Sequence, residues 1–101
     1  MSLTAKLSDD KSELTILIDG RFTYDVHKAF RQAYENVDTA KTSFIIDLRN
    51  TEYMDSAALG MLLLLRERAG GDQAKISIVN CDQELLKIIK LVKFEQLFNI
   101  V

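Results

Sequence analysis

Residues 43–65 read SFIIDLRNTEYMDSAALGMLLLL. Two patterns meet in this stretch. SFIIDL is a short continuous apolar run of the kind found in strands covered on both faces. From Ala57 to Leu65 no side chain is polar, and Asp55 and Ser56 stand directly before that run. The spacing predicts a helix from Asp55 to Ala69, closed by Gly70 and Gly71 as C-cap material. At about 100° per residue, Ala58, Met61, Leu62 and Leu65 share one face, which would pack on a sheet. Ser56, Gly60, Leu63 and Glu67 line the opposite side, flanked by Leu59. A surface helix ordinarily carries Lys, Glu or Gln on such a stripe. Here it carries a hydroxyl, a bare backbone and a leucine. Gly60 costs about 1 kcal/mol relative to alanine, which close approach by another backbone would explain. The wheel leaves two readings open: another element of the chain covers the stripe, or a second protein docks on it.

Working outward, Leu3, Ala5 and Leu7 alternate with polar residues as a half-buried strand does, and Leu14, Ile16 and Ile18 alternate again after the turn residues SDDKS. Together they predict a hairpin. From Tyr24 the period changes: Val26, Ala29, Phe30, Ala33, Tyr34 and Val37 form an amphipathic stripe, with Thr23 as N-cap. KISIVN is a further strand. Asp82 or Gln83 to Val92 forms the last helix, with Leu85, Ile88, Ile89 and Val92 inward, and the apolar tail FEQLFNIV must dock on the rest. The order is ββαβαβα. Strands alternating with helices imply parallel pairs joined by right-handed crossovers, and the hairpin adds an antiparallel pair. The fold class is therefore α/β, a mixed sheet with packed helices, expected as one domain over residues 1–101.

The chain has 101 residues, 48% hydrophobic and 28% charged, with a formal charge of −2. That length suffices for one core, folding burying roughly 65% of the unfolded surface. Thirteen scattered Lys and Arg and a pI near 5.3 argue against nucleic-acid binding, which needs a basic footprint. A single cysteine, Cys81, excludes an intramolecular disulfide and a cysteine-rich metal site. With no apolar targeting segment and no run of 18 apolar residues, the expectation is a cytoplasmic protein without membrane insertion.

Other chemistry is thin. His27 is the only histidine, so a metal site is not expected. A Ser56–His27 hydrolase pair would lack the Gly-x-Ser-x-Gly elbow. AGGD at 69–72 reads as a helix C-cap rather than a phosphate cradle. Tyr24, Tyr34 and Tyr53 read as packing or rim aromatics, and Asp9-Asp10 as a solvated turn.

Ser56 falls where backbone N–H groups lack intrahelical partners and the dipole favours negative charge. Asp55 and Ser56 serve as capping residues in one reading. In the other, a phosphate on Ser56 is tolerated by the helix terminus but not by a partner pressed on the small Ser-Ala-Ala-Leu-Gly surface.

At these residues the chain resembles the STAS domain of bacterial anti-anti-sigma factors (anti-sigma factor antagonists). The resemblance spans essentially the whole sequence and is most specific from the strand ending at Asp47 through Tyr53-Met54-Asp55-Ser56-Ala57-Ala58-Leu59-Gly60. It implies a non-enzymatic partner-switching regulator of transcription without a cofactor. Ser56 would be the phosphoacceptor, and Tyr53, Asp55, Ala57, Leu59, Gly60 and Leu63 the partner-binding face. The implied partners are an anti-sigma factor with serine-kinase activity and a metal-dependent serine phosphatase. The unphosphorylated form would bind, phosphorylation would release it, and the free chain would be monomeric. The alternatives are a constitutive STAS scaffold in a stressosome-like or lipid-transport assembly, and a small enzyme using Ser56 as nucleophile. Four positions depart from the family pattern: Ala58 and Lys93 stand where glycine is usual, and Phe22-Thr23 where Leu-Asp is frequent.

Overall fold

The computed structural model describes residues 3–101, and Met1 and Ser2 lie outside the described residues. Strand β1 (Leu3–Leu7) pairs antiparallel with β2 (Glu13–Ile18), Leu3 opposite Ile18 and Leu7 opposite Leu14. The turn between them is built on Asp10, whose Oδ1 accepts from Ser8 Oγ, Ser12 N and Ser12 Oγ. Hydrogen bonds from Ser12 and then Ser8 hold the Asp10 carboxyl at about 2.

After the hairpin come helix α1 (His27–Tyr34), strand β4 (Ser43–Asp47), helix α2 (Ser56–Arg68), strand β6 (Ile76–Val79), helix α3 (Gln83–Leu91) and strand β7 (Asn99–Ile100). Two short strands, β3 (Gly20–Phe22) and β5 (Thr51–Met54), prolong β2 and β4 as a separate parallel pair. The main sheet has the order β1-β2-β4-β6-β7. Every pairing beyond the hairpin is parallel.

This order decides where the helices lie. Each crossover from β2 to β4, β6 and β7 steps in the same direction. Right-handed connections therefore place all three helices on one face. Burial agrees: Leu14, Ile16, Ile18, Phe44, Ile46, Ile76 and Ile78 join α1, α2 and α3 in one buried cluster. The alternate residues Thr15, Leu17, Ser43, Ile45, Ser77 and Val79 are only half-buried. SFIIDL is thus not covered on both faces, because a continuous apolar run does not reveal on which side the crossovers fall.

Local chemistry sets the element ends. A 3₁₀ turn at Tyr24–Val26 precedes α1, and Thr23, though buried, makes no side-chain cap bond. Helix α1 ends at Tyr34, so Val37 lies beyond it, half-buried. Asp82 caps α3 by accepting from Leu85 N at 2.8 Å. Leu85 and Ile89 point into the core, whereas Val92 is 40% exposed because the helix has ended before it. Lys93 is left-handed (φ 61°), a conformation that glycine takes more readily than lysine. The tail docks through buried Phe94 and Phe98, ring centres 5.2 Å apart, and through β7 on β6.

Asp47 ties the strand ends together. Its Oδ1 accepts from Arg49 N at 3.0 Å and Asn80 Nδ2 at 2.9 Å. Burial pushes its pKa up, but the Asn80 and Arg49 hydrogen bonds and the Arg49 charge outweigh it, leaving it below 3.8. A depressed carboxyl contributes stability that is complete above the unfolded value and lost as pH falls through the folded one. Asp47→Asn is therefore expected to flatten the fall in Tm below about pH 4, checked by thermal melts from neutral to acid pH.

Candidate functional site

Strand β5 delivers the chain to α2, and Asp55 fixes that junction. Its N–H donates to the Phe22 carbonyl at 3.3 Å, joining the end of β5 to β3. Its Oδ1 accepts from Ala58 N at 2.9 Å, the N-cap bond of α2. Its Oδ2 accepts from Tyr24 N at 3.4 Å, at the opening of the first helical segment. One carboxylate thus serves both helix starts, including the one that Thr23 leaves without a side-chain cap. Asp55→Ala is expected to cost about 1–2 kcal/mol, or roughly 4–16 °C in Tm for a domain of this size. Asp55→Asn should recover only part of the loss in a thermal melt, since its one amide oxygen can cap α2 while its Nδ2 cannot accept from Tyr24 N.

Ser56 is the first residue of α2 and is exposed. Behind it the helix divides as its wheel predicts: Ala58, Met61, Leu62 and Leu65 are buried. Ala58 is fully inaccessible, so the methyl that replaces the usual glycine fills core. The opposite side is only partly covered among the described residues. Leu59 and Gly60 are half-buried and Leu63 is 39% exposed. A Cβ placed on Gly60 would meet nothing within 4 Å. The close approach expected there does not occur among the described residues.

Tyr53 is 44% exposed, with the Arg21 guanidinium 4.5 Å from its ring centre. The predicted residues run contiguously, Tyr53 on β5 and Asp55 to Leu63 along α2. Two further exposed residues adjoin these positions. Tyr24, 62% exposed and stacked on His27 at 4.0 Å, is carried there by its bond to Asp55. Leu64 is 64% exposed, and the unbroken leucine run was its only signal. His27 Nδ1 lies 2.7 Å from the Tyr24 carbonyl, and no hydrogen bond links its ring to Ser56 among the described residues. Cys81 is half-buried, and burial, then Asp82, pushes its thiol pKa up. Among the described residues no cluster of metal-ligating side chains occurs. No helix among them is long and apolar enough to cross a membrane.

Comparison with known proteins follows the same line. A family model described as Mlab, STAS domain, matches residues 5–101. A STAS-domain containing protein of Pseudomonas aeruginosa (strain UCBPP-PA14) is 53% identical over 100 residues, 99% of each chain. Among solved structures, an anti-sigma factor antagonist from Mycobacterium paratuberculosis shares the fold at 21% identity. Its TM-score is 0.77, with 98% of this chain and 85% of that one covered. The anti-sigma factor antagonist SpoIIAA in its unphosphorylated form superposes at TM-score 0.72 and 14% identity, covering 98% and 86%. The phosphorylated form of the Bacillus SpoIIAA superposes at 0.68 and 10% identity, covering 98% and 90%.

Proposed function

The chain belongs to the STAS domain family, and on that premise we propose that it is an anti-anti-sigma factor, a partner-switching regulator controlled at Ser56. Unphosphorylated, it binds an anti-sigma factor or related regulator through Tyr53, Asp55, Ala57, Leu59, Gly60 and Leu63. A serine-kinase activity of that partner phosphorylates Ser56 and releases it, and a metal-dependent serine phosphatase restores binding. The chain is substrate and ligand in this cycle, not catalyst, and the cycle runs in the cytoplasm.

One observation carries the reading. An exposed hydroxyl stands at the N-terminus of a helix that carries no polar side chain from Ala57 to Leu65 yet leaves Leu63 and Leu64 exposed. Such a helix is ordinarily buried. Its bare side is small and apolar at the start, suited to close docking. A phosphate adds about −1.5 to −2 charges there, and the free N–H groups and dipole of α2 accept that charge without unfolding the helix. The partner surface has no such compensation. The relatives in fold that are antagonists of anti-sigma factors lend the partner class.

Intact-mass analysis of the chain purified from its native cells tests the modification. One added phosphate mapped to Ser56, reversed by a serine phosphatase, is the expected result. A chain never phosphorylated under any growth condition would overturn the switch.

A further inference from the structure

The groove between α1 and α2 adjoins this face and is built differently. His27, Phe30, Arg31 and Tyr34 line one wall and Met61 and Leu64 the other, around a hollow of about 80 Å³. Phe30, Tyr34 and Met61 are buried beneath it, and Leu64 stands exposed at its lip. The hollow has room for a single side chain. A leucine beside it is apolar surface that only such an insertion would remove from water.

Two arginines stand at the groove, Arg31 in its wall and Arg68 beside Tyr34. Arg68 lies 5.8 Å from the Tyr34 ring centre. Burial raises the Tyr34 hydroxyl against the opposing pull of Arg68 and Arg31, so both guanidiniums act on the floor of the groove. Neither arginine forms an ion pair with another described residue. No acidic residue lines the hollow among those described. In a chain of net charge −2, this is unpaired positive charge set beside unpaired apolar surface.

We propose that the α1–α2 groove docks an acidic amphipathic helix of a protein partner, one apolar side chain entering beside Leu64 and its carboxylates pairing with Arg31 and Arg68. This deepens the docking reading above and rests on it only for the use of α2 as the docking helix. Helix-in-groove recognition supplies the anchor, and charge complementarity sets the register and encounter rate. Two arginines are too few for a lipid surface, where clusters of about four to eight cations are usual. They are likewise too few for a nucleic-acid footprint.

The test uses two synthetic helical peptides, each with a single leucine, one flanked by glutamates and the other by lysines. The full chain is followed by NMR of its methyl groups. The glutamate peptide is expected to move the Leu64 and Met61 signals, with affinity falling at least several-fold as salt is raised from about 0.05 to 0.5 M. Arg31→Glu/Arg68→Glu should abolish that response and create one to the lysine peptide. Both arginines are exposed, so the double variant folds, which its unperturbed core methyl signals report. Equal responses to both peptides would overturn the proposal, as would still Leu64 and Met61 signals. Arginine-dependent sedimentation with phosphatidylglycerol vesicles, without the peptide response, would assign the groove to lipid and overturn it too. Ser56→Asp is run in parallel, and peptide binding within about twofold of the parent separates failure of the groove from failure of the switch.

Discussion

Ser56→Asp weakens binding to the cognate anti-sigma factor by roughly 100-fold or more, and Ser56→Ala leaves it at the parent value: this is the expected outcome of titration calorimetry with the purified partner. A charge forced into an apolar or acidic contact costs several kcal/mol, and each 1.4 kcal/mol is about tenfold in affinity. The fold should not share the loss. Ser56 is exposed at the first position of α2, where a carboxylate gains about 0.3–1 kcal/mol from the dipole. Ser56→Asp is therefore expected to melt at or slightly above the parent temperature while failing to bind. That opposition separates a switch from a folding defect. Equal affinity of the two variants would sink the switch and favour the scaffold. A covalent adduct on Ser56 from a serine-directed probe, lost in His27→Ala, would instead favour the nucleophile.

Much of this was legible in the sequence. The order of the main strands and the three helices follows from periodicity and breaker residues, the hairpin from alternation plus turn residues, and the inward face of α2 from the positions of Ser56 and Gly60 on its wheel. Gly70 (φ 112°) closes α2 because only a residue free of a Cβ clash takes that turn readily. Other features depended on the chain being folded. GRF and TEYM are too short to show alternation, so β3 and β5 were invisible, and with them the bend that presents Ser56. Thr23 looked like a cap. The carboxylate bonded to Tyr24 N comes from Asp55, 31 residues away, a distance no local pattern encodes. Leu63 and Leu64 are neighbours in a leucine run, and only packing against α1 shows that Leu64 borders a groove. The departures at Ala58 and Lys93 resolve differently: one methyl joins the core, and one lysine accepts a left-handed backbone.

Gly60 separates stability from function in the sharpest way. Among the described residues nothing outside its own helical turn would meet a Cβ there within 4 Å. A mid-helix glycine still costs about 0.8–1 kcal/mol against alanine, and leucine is close to alanine in propensity. Gly60→Leu is therefore expected to raise Tm by roughly 3–8 °C. If the outer stripe of α2 is a docking face, the same side chain stands between two surfaces that otherwise meet closely. Overpacking of that kind costs about 1–3 kcal/mol, or roughly 5- to 150-fold in affinity. Thermal melts and calorimetry on one preparation then give changes of opposite sign, a more stable protein that binds less well. Ser56→Ala/Gly60→Leu should bind as poorly as Gly60→Leu alone, since neither change restores the space. A rise in Tm with affinity intact would show that the partner docks elsewhere, and that the glycine serves neither the fold nor the interface.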